Sequence, residues 1–192
     1  YNQGENVFLP SGEDAPTRQY YTFKGWSTEA NSGTQYLTGT QYKMLANTTL
    51  FAIWERNQVA ISFNYDGGTG DLDYKVYIQG ESVLLPAAAE AGAVRENYSF
   101  VGWQDFEAKT QYLTGEAYIP LNDATLNAMW VQNEVSITFY ANDGTGRQAT
   151  RIFNQGAATT LPSSYELNFF HDDTTYQYFG WQTEENGGMQ IL

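Results

Sequence analysis

The sequence predicts a mainly β protein that consists of tandem copies of one small domain. Two observations support this fold class. Aromatic and glycine motifs recur along the 192 residues at intervals close to 76 residues, which indicates a repeat. Aromatic residues make up 16% of the chain beside 18 glycines, a mixture that favours short strands and tight turns over helices.

Three motifs define the repeat. A strand-like Tyr-x-aromatic-x-Gly-Trp motif, a Leu-Pro pair and a Gln-Tyr-Leu-Thr-Gly segment return in the same order. The first occupies 21–26, 98–103 and 176–181, the second 9–10, 85–86 and 161–162, and the third 35–39 and 111–115. The period predicts three domains at residues 1–57, 58–133 and 134–192. Only the second is complete, because the first lacks its first strand and the third its closing strand, so we expect a segment of a longer array.

The complete repeat opens with a predicted hairpin. Residues Val59–Tyr65 alternate between apolar and polar side chains, as a half-buried strand does. Residues Asp66–Gly70 are a turn sequence, in which glycine supplies the positive φ of a tight hairpin. Residues Tyr74–Ile78 are then predicted to return as the second strand.

The rest of the repeat is predicted to contain one short helix and more strands. Residues 87–91 are rich in alanine and follow a proline, which predicts one or two helical turns. The Gly-Trp motif predicts the next strand, and Thr125–Trp130 predicts the closing one. With four or five strands and a short helix, the repeat belongs to the α+β class but is mainly β.

Charge and composition exclude several classes of partner and chemistry. The net charge of −13 argues against nucleic acid or an anionic membrane as a partner, since both require clustered Lys and Arg. No apolar run approaches the roughly 20 residues of a membrane-spanning helix, so we expect no membrane insertion by this segment. The absence of cysteine excludes disulfides and thiol catalysis.

The order of the motifs resembles that of the Listeria–Bacteroides repeat, also called the internalin-type B repeat. The order is a hydrophobic strand, Asp-Gly-Gly, a returning strand, Leu-Pro, Tyr-x-Phe-x-Gly-Trp and Leu-x-Ala-x-Trp. The closest matches are 21–26 and Leu50-Phe51-Ala52-Ile53-Trp54. The sequence departs from the family pattern in longer insertions after Leu-Pro and in Asn142-Asp143-Gly144, which replaces the usual glycine pair.

The resemblance implies a fold, a location and a role. It implies tandem β-grasp-like, ubiquitin-related domains arranged as a rod. Such repeats occur in bacterial surface proteins that are secreted or attached to the cell wall, where they act as a stalk, a spacer or an adhesive or filament-forming element without enzymatic activity. The implied partners are other surface-protein domains, copies of itself, or a protein or glycan on a host or neighbouring cell.

Most of the recurring aromatic residues are predicted to form the domain cores. Tryptophans at equivalent repeat positions between apolar strand residues fill interiors more often than they bind sugars. The predicted core residues are Phe23, Trp26, Trp54, Phe100, Trp103, Trp130, Phe179 and Trp181.

Four aromatic residues that do not recur are candidate ligand contacts: Tyr20, Phe106, Phe169 and Phe170. They support an alternative function, a carbohydrate- or host-protein-binding module that uses the variable loops. Loop packing is the competing interpretation of the same residues.

No catalytic, cofactor or metal site is predicted. Asp66, Asp71 and Asp73 could supply oxygen ligands for Ca²⁺. The third repeat, however, offers Asp143 but then Arg147 and Gln148 where the other acids would be, and Asp-Gly is a common hairpin turn. His171 is the single histidine, and no nucleophile motif surrounds it. We therefore expect neither an enzyme nor a cofactor.

Overall fold

The computed structural model describes residues 2–30, 32–169, 178–183 and 190–191. Its strands confirm the mainly β class, with a single four-residue α-helix among these residues. The chain divides into two compact units. Unit 1 comprises Tyr1–Val94 and Phe100–Met129, and unit 2 comprises Arg95–Ser99 and Trp130–Leu192.

The first repeat forms two small sheets in unit 1. Its strands are β1 (Asn6–Phe8), β2 (Tyr21–Ser27), β3 (Gln35–Leu37), β4 (Gln41–Lys43) and β5 (Phe51–Arg56), with a 3₁₀ turn at Gly12–Asp14. Strand β2 lies between β3 and β5 and is antiparallel to both, while β1 pairs with β4. The β2–β5 ladder shifts register between Phe23 and Gly25.

The second repeat forms a five-stranded mixed sheet. Its elements are β6 (Gln58–Asn64), β7 (Tyr74–Ile78), β8 (Val83–Leu84), α1 (Ala88–Ala91), β9 (Tyr98–Asp105), β10 (Thr110–Leu113), β11 (Ala117–Tyr118) and β12 (Ala124–Gln132). The strand order is β10-β9-β12-β6-β7, in which β12 runs parallel to β6. The first and last strands of the repeat are therefore neighbours in the centre of the sheet.

The core of the second repeat follows from the alternation of side chains along β6. Val59, Ile61 and Phe63 lie on one face of the strand, and all three are buried. The ring of Phe63 packs against that of Trp103 with 4.6 Å between centroids, and Leu126 of β12 is fully buried. Because the repeat supplies its own apolar interior, it needs no disulfide.

In unit 2, the first element of the third repeat is a hairpin. Strands β13 (Glu134–Tyr140) and β14 (Gln148–Asn154) pair antiparallel, and the short strands β15 (Trp181–Gln182) and β16 (Gln190–Ile191) pair with each other. The Asp143 carboxylate in the hairpin turn accepts hydrogen bonds from the Thr145 hydroxyl, the Arg147 guanidinium and the Thr145 amide. These bonds hold the pKa of Asp143 well below its usual range.

The predicted elements of the complete repeat lie where the sequence indicates them. The first strand begins and ends one residue earlier than predicted, the second coincides with the prediction, and the helix covers four of the five predicted residues. Strand β11 was missed because two residues are too few to show an alternating pattern. It pairs antiparallel with β8, the short extended piece before the Leu-Pro pair.

Candidate functional site: the asparagine junctions

Asn57 is the one residue between the last strand of the first repeat, β5, and the first strand of the second, β6. Its amide N–H donates a hydrogen bond to the Tyr20 carbonyl at 3.0 Å. Its carbonyl accepts one from the Gln79 amide, also at 3.0 Å. The main chain of Asn57 is therefore bonded to both repeats.

The side chain of Asn57 connects the same two repeats. Its Oδ1 accepts a hydrogen bond from the Thr22 hydroxyl at 2.6 Å, and its Nδ2 donates one to Gln79 Oε1 at 3.0 Å. With two bonds from the backbone and two from the side chain, the residue makes four contacts that resist rotation about the connection. Each contributes on the order of 1 kcal/mol when it is shielded from water.

A stacked contact lies beside these hydrogen bonds. Tyr20 has a left-handed backbone conformation with φ of 63°, which is uncommon for a residue other than glycine. The conformation places its ring over Gly80, where an added Cβ would overlap the ring. Glycine is therefore required at position 80 by this contact as well as by its own φ of 79°.

The same junction occurs 76 residues later, within unit 2, where Asn133 separates β12 from β13. Its N–H donates to the Asn97 carbonyl and its carbonyl accepts from the Gln155 amide, both at 2.8 Å. The Ser99 hydroxyl donates to its Oδ1 at 2.6 Å. Asn97 occupies the position equivalent to Tyr20 and has a similar left-handed backbone conformation, with φ of 62°. Its side-chain amide lies against Gly156, as the Tyr20 ring lies against Gly80.

The surroundings of the first junction are polar and open. An open groove of about 670 Å³ is lined by Thr22, Glu55, Arg56, Asn57, Gln58, Val59 and Gln79. Arg56 forms an ion pair across the connection with Glu81, and the Gln79 side-chain amide donates to the Leu121 carbonyl at 2.6 Å. The groove can hold water and small polar molecules.

The sequence pattern did not reveal the junctions. The connections Glu55-Arg56-Asn57 and Gln132-Asn133 differ in sequence, but in each of them a single asparagine with matching backbone partners separates the two strands. The available signal was the 76-residue spacing of the two asparagines and of the Gln-Gly pairs that follow them.

The tryptophans of the three Gly-Trp motifs each make an equivalent hydrogen bond to a proline carbonyl. The indole Nε1–H groups of Trp26, Trp103 and Trp181 donate to the carbonyls of Pro10, Pro86 and Pro162 at 3.0, 2.8 and 2.7 Å. Trp103 is 1% exposed, while Trp26, Trp54, Trp130 and Trp181 are half-buried. The bond connects the Gly-Trp motif to the Leu-Pro pair in every copy, although the intervening loop differs in length.

The half-buried phenylalanines Phe23 and Phe100 pack edge-on against the tryptophan of their own repeat. Their ring centroids lie 5.3 Å from Trp26 and 5.1 Å from Trp103. Phe23 also packs against Trp54 at 5.6 Å. The first and second repeats thus each carry an edge-on aromatic pair on their Gly-Trp strand.

The prediction of Phe179 as a core residue is wrong, since its side chain is 74% exposed. Its counterparts in the other repeats are Lys24 and Val101, and the true counterpart of Phe23 is Tyr178. Tyr178 packs against Trp181 with 5.3 Å between centroids. Adjacent strand residues face opposite sides, so the exchange of one position reverses the expected burial.

The candidate ligand contacts that the structure describes have different surroundings. Tyr20 belongs to the first junction, and Phe169 packs against Trp181 with 6.3 Å between centroids. Phe106 is 58% exposed. Phe170 and His171 lie outside the described residues.

Within residues 2–30, 32–169, 178–183 and 190–191, no group of three or more His, Asp or Glu side chains is arranged to hold a metal ion. Among the helices that the structure describes, none has the length and apolar character needed to cross a bilayer.

Fold and junctions together define a class: tandem repeats of a small, mainly β module joined through single asparagines. The family model of the Listeria–Bacteroides repeat domain matches residues 1–53 and 60–129. The chain belongs to this family, as the motif resemblance indicates.

The similar proteins include three from two bacteria. The chain is 26% identical over 176 residues, 90% of its length, to an inferred membrane protein of Evansella cellulosilytica. It is 30% identical over 129 residues, 67% of its length, to an inferred Gly-rich membrane protein of the same organism. It is 27% identical over 123 residues, 62% of its length, to Internalin H of Listeria monocytogenes.

The chain spans 25%, 14% and 21% of these three relatives, so it corresponds to a segment of each. No solved structure matches the chain with statistical significance.

Proposed function

We propose that this chain is a non-enzymatic spacer segment of a bacterial surface protein, secreted or attached to the cell wall. Three β-grasp-like domains, residues 1–57, 58–133 and 134–192, follow one another as parts of a rod-like stalk. The asparagine junctions limit bending between successive domains. The function is to hold other domains of the parent protein at a distance from the cell, and the same rod can serve adhesion or filament formation.

The observation that carries the proposal is the repetition of the junction. Asn57 and Asn133 make the same backbone and hydroxyl hydrogen bonds, although the group that covers the glycine differs: the Tyr20 ring in the first junction and the Asn97 amide in the second. A flexible tether needs no such bonds, and Gly/Ser-rich linkers make none. Two copies of one bonded connection therefore support a controlled angle between domains.

The β-grasp assignment has separate support. In the second repeat a short helix lies between the second and third long strands, and β6 and β12 run parallel in the centre of the sheet. These features support the β-grasp-like fold that we propose for the repeat. The family match and the similarity to Internalin H support the surface location.

The acidic composition supports a role that keeps neighbouring molecules apart. The net charge of −13 is spread over a chain with nine basic residues, and like charges on adjacent rods repel within about 8–10 Å at physiological salt. Binding of a host protein or glycan is the second function that the sequence leaves open. Among the candidate contacts that the structure describes (Tyr20, Phe106 and Phe169), Phe106 is the most exposed.

Distance measurements across the first junction test the proposal. The chain has no cysteine, so spin labels at Gln35→Cys and Glu107→Cys, both at exposed positions, report one distance between the first two repeats. We expect a narrow distance distribution by pulsed electron paramagnetic resonance. Asn57→Ala should broaden it, because two of the four bonds are lost.

The matched control is Asn47→Ala, which removes an exposed asparagine from the same repeat and should leave the distribution unchanged. A distribution that is equally broad in the parent chain and in the Asn57→Ala variant would show that the junction does not limit bending, and the spacer mechanism would fail.

A further inference from the structure

Each junction has an asparagine on one side and a Gln-Gly pair on the other. Gln3 and Gly4 are a third copy of this Gln-Gly pair. In the second repeat the pair is Gln79 and Gly80, whose partners are described above. The Gln3 side-chain amide donates to the Leu45 carbonyl at 2.9 Å, as that of Gln79 donates to the Leu121 carbonyl. The first repeat therefore holds its Gln-Gly pair in the same way as the second.

The glycine itself has the same geometry in all three copies. The φ angles of Gly4, Gly80 and Gly156 are 87°, 79° and 74°. The amide of Gly4 donates to the Met44 carbonyl, and that of Gly80 donates to the Pro120 carbonyl at 2.8 Å. The main chain at Gly4 is thus already in the conformation found in both completed junctions.

What differs is the space above the glycine. A Cβ added at Gly80 or Gly156 would overlap the Tyr20 ring or the Asn97 amide, whereas one added at Gly4 meets no described atom within 4 Å. In the two completed junctions, the preceding glutamine also donates its backbone N–H to the asparagine carbonyl. The first repeat presents this donor and an uncovered glycine together.

We infer that Gln3 and Gly4 form a docking surface for a further repeat of the same kind. The partner is a repeat with an asparagine directly after its closing strand and a planar side chain in the left-handed conformation at the position of Tyr20 or Asn97. Its asparagine carbonyl accepts the Gln3 N–H, and its planar side chain covers Gly4. The inference rests on the proposed function, because it extends the same junction by one copy.

We expect the partner repeat to belong to the same polypeptide chain. A junction consists of a few hydrogen bonds and one stacked contact, each contributing on the order of 1 kcal/mol, which is too little for tight binding between separate molecules. Covalent connection raises the effective concentration into the millimolar range and makes such contacts form. The test therefore joins the partner to the intact chain.

The experiment places a copy of residues 58–152 directly before Tyr1. Residue 153 is the counterpart of Tyr1, so the 76-residue period continues without a break, and the added copy of Asn133 faces Gln3. Backbone amide hydrogen exchange is measured by nuclear magnetic resonance in the extended chain and in the 192-residue chain. Protected amides of the added β6 segment report that the extension is folded.

We expect the Gln3 amide to exchange about tenfold more slowly in the extended chain, the effect of one added hydrogen bond. Gly4→Asn should abolish this protection, since asparagine tolerates the left-handed conformation while its side chain fills the docking space. Gly39→Asn is the matched control, because Gly39 has a φ of 81° and equally open surroundings.

The inference is overturned if Gln3 exchanges equally fast in both chains while the Gln79 and Gln155 amides stay protected. Protection of Gln3 that survives Gly4→Asn would overturn the assignment of Gly4 as the covered position. Fast exchange at Gln79 and Gln155 as well would instead contradict the bonded junctions on which the proposed function depends.

Discussion

The indole Nε1–H of Trp103 donates a hydrogen bond to the carbonyl of Pro86 at 2.8 Å, and both residues are almost completely buried. Trp103→Phe removes the donor, leaves the carbonyl without its partner and opens a cavity. We expect the free energy of unfolding to fall by about 2–4 kcal/mol. Urea denaturation followed by circular dichroism measures the change.

The comparison for this prediction is Trp26→Phe, which breaks the equivalent bond to Pro10 at a half-buried site. Water can reach that carbonyl, so the loss of stability should be smaller. Equal losses in the two variants would contradict burial as the origin of the effect.

Gly102 is required by the close approach of two strands. Its φ is 151°, and an added Cβ would overlap the carbonyl oxygen of Tyr112 on strand β10. Gly102→Ala should therefore lower the free energy of unfolding by about 2 kcal/mol or more, through backbone strain and displacement of the strand. Thermal or urea denaturation provides the measurement.

Gly115→Ala serves as the control, because Gly115 has a φ of 91° but nothing within 4 Å of an added Cβ. It carries the backbone strain without the steric overlap. If both variants lose the same stability, the contact with Tyr112 contributes nothing.

Loss of the hydroxyl group should affect the free energy of unfolding differently at Tyr77 and at Tyr65. The buried Tyr77 hydroxyl has no hydrogen-bond partner among the described residues, whereas that of Tyr65 accepts the Leu72 amide at 3.1 Å and lies 3.0 Å from the Ala91 carbonyl. Tyr77→Phe should leave the free energy of unfolding unchanged or raise it by about 1 kcal/mol, and Tyr65→Phe should lower it by about 1 kcal/mol.

Parallel urea titrations of the two tyrosine variants test this pair. A clear loss of stability in Tyr77→Phe would reveal a partner for its hydroxyl. An unchanged Tyr65→Phe would mean that its hydrogen bonds are replaced by water without cost.

Burial raises the pKa of Tyr118 from 10.0 to about 12. Because the folded-state pKa is the higher one, the contribution to stability is complete below pH 10 and is lost as the pH rises towards 12. We expect the urea midpoint to fall over this interval and to fall less steeply in Tyr118→Phe. The matched control is Tyr74→Phe, whose ring is 62% exposed, and identical slopes for Tyr118→Phe and the parent chain would refute the prediction.

The sequence predicts the strands well because their side chains alternate. Val59, Ile61 and Phe63 specify both the strand and its buried face, and the structure places them accordingly. Phe179 was misplaced because two adjacent aromatic residues, Tyr178 and Phe179, leave the register ambiguous. The register becomes clear when the residues are counted back from Trp181.

The junctions were beyond prediction from sequence for a different reason. Asparagine is common in connections of every kind, and nothing near Asn57 in the chain identifies its partners. Thr22 and Gln79 lie 35 and 22 residues away, and only the folded sheets bring them to the same place. Periodic positions could be recognised in advance, but their shared hydrogen bonds could not.

The parallel arrangement of β6 and β12 determines how the complete repeat responds to a pulling force. The chain enters the repeat through β6 and leaves through β12, which are hydrogen-bonded from Ile61 opposite Ala124 to Asn64 opposite Asn127. Tension along the chain therefore loads this ladder in shear, so that its bonds must break together instead of opening one by one from an end. A module of this kind stays closed under loads that would unzip a hairpin.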